Sequence, residues 1–225
     1  MFEANQELIV KAREILFQRP NIFWIIGGAC AGKSTVSRLL SETKGIARYD
    51  MDEHIFGGYM PLYTPERHPA STAWFTAPNP FVWAFSLPWE EFNALNRAAN
   101  AEYLDLLAGE LAQQDDHQPL LIEGGITHPS ILAQVISPAQ TVCLEISEEK
   151  RVSTWENSAE RAEMKSWVYA LTDPEQQWQR FLDLDQEMSQ IIVNESRAEG
   201  IKIVFREEYV SVDALANGIA AYLGI

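Results

Sequence analysis

The segment 22–35 constrains the fold of this chain more than any other part of the sequence. An apolar run leads into Gly27, and Gly32, Lys33 and Ser34 follow with the spacing G-x-x-x-x-G-K-[ST]. Glycine adopts positive φ readily and lets a phosphate approach the backbone, where consecutive N–H groups and a helix N-terminus attract it. The pattern therefore predicts a strand, a phosphate-binding loop and a helix. The predicted nucleotide-binding residues are Gly27, Gly28, Ala29, Cys30, Ala31, Gly32, Lys33, Ser34 and Thr35.

This loop predicts ATP and Mg²⁺ as cofactors. Lys33 can reach the β- and γ-phosphates, and the Ser34 hydroxyl can ligate Mg²⁺. The alternative is a glycine-rich turn that only joins a strand to a helix, which the amphipathic pattern of Val36 and Leu40 disfavours. Cys30 is either a redox-sensitive thiol or a small filler residue, and we favour the filler.

Strand-like and helix-like segments alternate along the rest of the chain, which predicts a parallel sheet with helices on both faces. Asp50, Asp52 and Glu123 follow two of the strands. Because ligands bind at the carboxyl ends of such strands, we expect these carboxylates beside the phosphate-binding loop. The predicted strands are residues 22–26, 46–51, 119–123, 140–146 and 201–205, and the main predicted helices are residues 7–18, 90–114, 174–199 and 211–223.

Three of these pieces together resemble the P-loop kinases of small molecules: the loop, D-M-D at 50–52 and L-I-E-G-G at 121–125. The D-x-D is similar to that of shikimate kinase and dephospho-coenzyme A kinase, and the E-G pair to that of uridine kinase and phosphoribulokinase. The resemblance implies one α/β domain over residues 1–225. Its fold would be a three-layer sandwich with a five-stranded parallel sheet, of the P-loop nucleoside-triphosphate hydrolase and kinase type.

The resemblance also implies roles for the three carboxylates. An aspartate at the second strand end, Asp52 or Asp50, would orient or deprotonate the acceptor hydroxyl, and Lys33 would assist transfer. In an extended strand both aspartates would share one face, and Asp52 lies further into the loop. The alternative for either is a helix cap. Glu123 would sit beside Mg²⁺ with Ser34, usually through water, or would touch the acceptor. The alternative is a buried neutral or helix-capping carboxylate.

Two segments beyond the sheet are candidates for covering the site. The aromatic-rich insertion at 56–89 has no strong period and follows Asp52 directly, so Tyr59, Trp74 and Trp83 would either stack on the acceptor or form a small satellite core. A lid is predicted at 150–172, because phosphoryl transfer needs cations over the β,γ-bridge.

Arg161 is the best lid candidate, with Arg151 and Lys165 as alternatives. Surface ion pairing with the interleaved glutamates is the other explanation for these three cations. Arg67 and Arg97 could bind an acidic acceptor, although nothing in the sequence requires it.

Composition limits the partners. The formal charge of −15, with a pI near 4.6, disfavours nucleic acid. No apolar run is long enough for a membrane span, and two cysteines without a disulfide or zinc pattern favour a reducing cytoplasm. The histidines, His54, His68, His117 and His128, have no mutual ligand spacing and are predicted to be surface or capping residues, with His128 the one to test.

The predicted function is ATP- and Mg²⁺-dependent transfer of the γ-phosphoryl group to a hydroxyl of an unidentified small molecule. The sequence lacks the N-K-x-D base reader of a GTPase. The alternative is a nucleotide-binding regulatory protein, or an NTP hydrolase that uses no acceptor other than water. The acceptor and the oligomeric state stay open at this point.

Overall fold

A computed structural model describes residues 2–114, 118–207 and 209–225; His117 lies outside the described residues. Five strands of the described chain form one parallel sheet in the order β2-β3-β1-β4-β5. This confirms the predicted α/β fold with a five-stranded parallel sheet. The strands are β1 Ile22–Gly27, β2 Ala47–Asp50, β3 Leu120–Glu123, β4 Thr141–Glu145 and β5 Lys202–Phe205.

The register of the strands sets the level of their carboxyl ends. Asp50 on β2 lies opposite Glu123 on β3, and Glu123 lies opposite Ile25 on β1. Strand β1 continues for two further residues, to Gly27, which pairs with Leu144 on β4. The loop after β1 therefore begins just above two neighbouring carboxylates.

Helices cover both faces of the sheet, which gives the predicted three layers. One face packs against α1, α6, α7 and α10 through a large apolar cluster, and the other packs against α2 and α11 through a second cluster. Within the described ranges, no helix is long and apolar enough to cross a membrane. The helices are α1 Gln6–Leu16, α2 Lys33–Lys44, α3 Met51–Glu53, α4 Pro69–Thr76, α5 Pro80–Ser86, α6 Trp89–Leu111, α7 Pro129–Leu132, α8 Glu148–Asn157, α9 Ala162–Tyr169, α10 Pro174–Ala198 and α11 Val212–Leu223.

The insertion at 56–89 is mostly helical, so the prediction of an irregular segment is wrong. Its prolines start short helices, because Pro fits the first helical turn, and Asn79 caps α5. Trp74 and Trp83 pack against each other and against α6, with ring centroids 6.5 Å apart. Of the two alternatives for these tryptophans, the structure therefore favours the satellite core.

The predicted lid consists of α8, a 3₁₀ turn at Ala159–Arg161 and α9. It is fastened to α10 by aromatic side chains. The Trp155 ring on α8 meets two rings of α10 edge-on, Phe181 at 4.7 Å and Trp178 at 6.3 Å between centroids. Ala29 and Cys30 pack against the same cluster, which places the segment beside the loop after β1.

Candidate active site

The loop after β1 has a backbone that only glycine can supply at its two ends. Gly27 has φ of +143° and Gly32 has φ of +92°. A Cβ at Gly27 would overlap the Leu144 carbonyl, and one at Gly28 would lie 2.5 Å from Ser189 Oγ. Lys33 Nζ donates to the carbonyl oxygens of Gly27 and Gly28, each at 3.1 Å, and so lies across the loop. The result is a tight turn of backbone amides with an ammonium group at its mouth, which fits a phosphate group.

Cys30 holds the third unusual backbone position of the loop. Its φ is +63°, a left-handed conformation that a residue with a Cβ adopts only under strain. Burial raises the pKa of the Cys30 thiol to about 11, and the positive charge of Arg161 opposes this only in part. The thiol is therefore protonated at neutral pH, which favours the filler role over the redox-sensitive one.

A chain of polar contacts joins the loop helix to β2 and β3. Ser34 Oγ donates to Glu123 Oε2 at 3.1 Å. The other Glu123 oxygen accepts from Arg48 Nη2 at 2.5 Å, and the same nitrogen lies 2.6 Å from Asp50 Oδ2. Glu123 is 1% exposed. The sequence analysis missed Arg48, although it lies two residues before Asp50 and therefore on the same face of β2.

Ser34 and Glu123 fit the magnesium role predicted for them. Their oxygens are hard ligands and lie side by side at the loop. Among the described residues, no group of three or more histidine, cysteine or carboxylate side chains could hold a metal by itself. Proteins hold Mg²⁺ with few side chains together with water and substrate phosphates, so a hydroxyl and a carboxylate side by side suit it.

Asp50 and Asp52 do not share a face of an extended strand, so that prediction is wrong. Strand β2 ends at Asp50, and Asp52 lies in the helical turn α3. Asp50 Oδ1 accepts from the Glu53 amide at 3.2 Å and caps this turn, while its other oxygen contacts Arg48. The geometry thus gives Asp50 the capping role, and Asp52 alone turns toward the loop after β3.

Asp52 lies in a cavity of about 240 Å³ between α3, α6, α10 and the loops after β1 and β3. Its Oδ1 accepts from the Gly125 amide at 3.0 Å. A Cβ at Gly124 would lie 2.7 Å from the other oxygen, so glycine is required there for the carboxylate to fit. We call this space the Asp52 cavity; its polar and aromatic lining includes Lys33, Asp52, Phe56, Asn96, Tyr103 and Asp185.

Protein atoms around Asp52 change its acidity. The cavity opens to solvent, yet desolvation by the surrounding walls raises the pKa of Asp52 above its usual value, while the charge of Lys33 and the Gly125 amide partly oppose that rise. A raised pKa brings a carboxylate nearer to the range in which it accepts a proton efficiently.

A second cavity of about 350 Å³ adjoins Lys33. Its walls come from the loop, the start of α2, the lid and the segment after β5. We call it the cationic cavity because four basic side chains line it: Lys33, Lys150, Arg161 and Arg206. Lys33 is thus a wall of both cavities.

Comparison with solved structures agrees with this architecture. The chain is similar to shikimate kinase from Aquifex aeolicus vf5 (19% identity, 90% of this chain and 96% of that one, TM-score 0.46). It is also similar to shikimate kinase from Acinetobacter baumannii in complex with shikimate (18% identity, 90% of this chain and 93% of that one, TM-score 0.49). A third similar structure is the protein TT1252 from Thermus thermophilus (19% identity, 90% of this chain and 97% of that one, TM-score 0.50). No protein-family model matches the chain, and neither does any curated protein.

The chain shares the fold of TT1252, a five-stranded parallel sheet between two layers of helices. At 19% identity this likeness concerns the fold alone.

The three candidate lid cations have different surroundings. Arg161 lines the cationic cavity, and its guanidinium carbon lies 5.0 Å from the centroid of the Trp155 ring. Arg151 is buried, with Nε 2.9 Å from Asp185 Oδ2, and lines a third cavity beside the loop residues Gly28 and Ala31. Lys165 bonds to Glu156 on the lid itself. Arg161 is thus the one of the three that lines the cationic cavity.

Two charged residues at the site were missed by the sequence analysis. Arg206 follows β5 directly, and its Nη1 would lie 2.6 Å from a Cβ on Gly32. A basic residue just past the carboxyl end of a strand was a usable signal for it. Asp185 lies within the long polar helix α10, where nothing in the sequence distinguishes it. Burial raises the pKa of Asp185, and Arg151 opposes that rise.

Three further candidates lie away from the Asp52 cavity. His128 Nε2 faces Asn93 Oδ1 at 2.9 Å, and burial lowers the pKa of His128 to about 4, so it is neutral. Arg67 makes two 2.7 Å bonds to Asp105. Arg97 lies 3.1 Å from Ser130 Oγ and 3.3 Å from Glu195 Oε1. None of the three lines the cavity that holds Asp52.

Proposed function

We propose that this protein is an ATP- and Mg²⁺-dependent kinase that transfers the γ-phosphoryl group to a hydroxyl of a small molecule. One observation carries the proposal: Lys33 lines both the cationic cavity and the cavity that holds Asp52. Phosphoryl transfer needs this arrangement, with the phosphoryl group between a donor site and an acceptor site.

The donor side would be the cationic cavity. The loop amides and Lys33 would hold the β- and γ-phosphates, and Arg161 and Arg206 would face them from two sides. Ser34 would ligate Mg²⁺, with Glu123 beside it through water. Bound Mg²⁺ would neutralise charge on the phosphate oxygens.

The acceptor side would be the Asp52 cavity. The Gly125 amide fixes Oδ1 of Asp52 and leaves Oδ2 for the acceptor hydroxyl. As the acceptor oxygen forms its bond to phosphorus, the bond from phosphorus to the bridging oxygen of ADP breaks. Asp52 takes the hydroxyl proton, which its raised pKa favours.

The strongly acidic composition supports a small-molecule partner rather than a nucleic acid. Cys30 and Cys143 are both free thiols, which supports a reducing compartment such as the cytoplasm as the place of reaction.

Measurement of ADP release from Mg·ATP tests the proposal, first alone and then with nucleosides, sugars, aminoglycosides and small hydroxy acids. One class of acceptor should stimulate release. In Asp52→Asn the stimulated rate should fall by about 10²–10⁴-fold while ATP binding persists. Glu53→Gln is the matched control, because its exposed carboxylate lies next to Asp52 and lines neither cavity.

A different outcome would replace the kinase proposal. Release that ignores every acceptor and is equal in Asp52→Asn and Glu53→Gln would identify a hydrolase or a nucleotide-binding regulator.

A further inference from the structure

We propose that the acceptor is a neutral polyhydroxylated ring compound without a carboxylate or phosphate group. The inference rests on the proposed function and names the substrate class of the Asp52 cavity. It follows from the charges on the cavity wall, from the pairing of the nearby arginines and from the uncharged part of the wall.

The charges on the wall disfavour an anion. Asp52 and Asp185 are its two carboxylates, and Lys33 is its only cationic side chain within residues 2–114, 118–207 and 209–225. Lys33 belongs to the phosphate loop and would face the phosphates of ATP during the reaction. Asp185 is paired with Arg151, so an anionic acceptor would approach the Asp52 carboxylate and a triphosphate without a free cation of its own on the wall.

Three arginines on the surrounding elements are held by carboxylates and do not line the cavity. Arg67 forms a paired contact with Asp105, Arg97 contacts Glu195, and Arg151 is buried against Asp185, which is itself on the cavity wall. Arg161, whose charge acts on Asp52 and Asp185, lines the cationic cavity instead. Turning Arg151 toward an acceptor would leave the buried Asp185 without its counter-charge, which is strongly unfavourable.

The uncharged part of the wall suits hydroxyl groups and the apolar face of a ring. The side-chain Nδ2 of Asn96 donates to the Phe92 carbonyl at 2.8 Å, so the side-chain Oδ1 is available to accept from a hydroxyl. Thr127 and Asn100 also line the cavity, and the Thr127 hydroxyl donates to Asn100 Oδ1 at 3.2 Å. Phe56 lines the cavity although it is 56% exposed, and an exposed aromatic ring can stack on the C–H face of a sugar or on a base.

The volume agrees with a small ring. At about 240 Å³ the Asp52 cavity is smaller than the cationic cavity of about 350 Å³. A cavity of this size accepts a monosaccharide, a cyclitol or the sugar of a nucleoside, whose remaining atoms would extend through the open side.

Matched probe pairs test the charge inference, each pair sharing the same ring and hydroxyl groups and differing in an amide against a carboxylate: glucuronamide with glucuronate, quinamide with quinate, and adenosine 5′-carboxamide with adenosine 5′-carboxylate. ADP release from Mg·ATP is measured with every probe. In each pair that responds, kcat/KM should be at least about tenfold higher for the neutral member. Preference for the acidic member in a responsive pair would overturn the inference and leave the kinase proposal intact.

Binding separates the two proposals when turnover is absent. The same pairs are titrated by calorimetry into the protein loaded with Mg²⁺ and a non-hydrolysable ATP analogue. Neutral probes that bind without turnover would support the charge inference and overturn the kinase proposal. Binding of the acidic members alone, or of no neutral probe, would overturn the charge inference.

A charge introduced into the wall gives the complementary test. Asn96→Arg should raise kcat/KM for the acidic member of the responsive pair by at least about tenfold relative to the neutral member. Ala112→Arg is the control, because it adds the same charge at the exposed end of α6, outside the cavity. An equal change in both variants would show that overall charge, and not the wall, decides, and would overturn the inference.

Discussion

Replacement of Arg48 by methionine should destabilise the protein, because Arg48 neutralises a buried carboxylate. Its guanidinium donates to Glu123 at 2.5 Å, to Asp50 at 2.6 Å and to Ser37 Oγ at 3.0 Å. Glu123 is almost fully buried, whereas the Arg48 and Asp50 side chains are each 24% exposed. In Arg48→Met, Glu123 would keep the Ser34 hydroxyl but lose its counter-charge.

The size of the effect follows from that geometry. Removal of one partner of a buried ion pair costs about 3–5 kcal/mol, and the partial exposure of Arg48 favours the lower end, about 3 kcal/mol. For a chain of this size, that loss corresponds to a fall of about 6–12 °C in Tm.

Urea unfolding followed by circular dichroism measures the loss. Arg38→Met is the matched control, since Arg38 is exposed on α2, and it should stay within about 0.5 kcal/mol of the wild type. Glu123→Gln should lower the free energy of unfolding by at least about 1 kcal/mol less in the Arg48→Met background than in the wild type. In that background the substitution also removes the unpaired charge of Glu123. A loss no larger than that of the control, or purely additive changes, would refute the reasoning.

Three further predictions concern the loop, the acceptor side and the lid. Cys30→Gly should raise the free energy of unfolding by up to about 1 kcal/mol, since relief of the left-handed conformation (about 1–2 kcal/mol) exceeds the extra chain entropy of glycine. Cys30→Ala should not raise the free energy of unfolding measured in urea, and a rise in that variant would contradict the strain argument. Transfer needs ionised Asp52, so kcat/KM should fall with decreasing pH at a midpoint above the usual aspartate value of about 4, and a midpoint at that value would contradict the raised pKa. The folded state binds this proton more readily than the unfolded chain does, so Asp52→Asn should raise Tm more at neutral pH than in acid. Arg161→Met should lower the kcat measured by ADP release by at least about a hundredfold, and Lys165→Met should lower it by less than about twofold. Equal losses in the two variants would contradict a role for Arg161 in the site.

The sequence predicted those parts of the site that depend on local spacing. Gly27, Gly32, Lys33 and Ser34 lie within eight consecutive residues, and the backbone conformation that they require is the same wherever this spacing occurs. The sheet was predictable for a similar reason, because buried strands between helices can pair in parallel in few ways.

Contacts between distant residues could not be predicted in this way. Arg48 and Glu123 are 75 positions apart, and their ion pair exists only because β2 and β3 are neighbours in register. Asp185 reaches the Asp52 cavity from one face of a 25-residue helix whose rotation is set by packing. The helical turn after Asp50, which separates the two aspartates, is stabilised by burial of Met51 and so depends on tertiary contacts.

The close approach of Gly124 to Asp52 has a consequence for the history of this protein. Asp52 and Gly125 are 73 positions apart, yet the carboxylate and the glycine pair occupy one small volume. A lineage that gained a side chain at Gly124 would displace the carboxylate, whereas one that first lost Asp52 would be free to fill the space. Among descendants of a common ancestor, loss of Asp52 should therefore precede any replacement of Gly124 by a residue with a side chain.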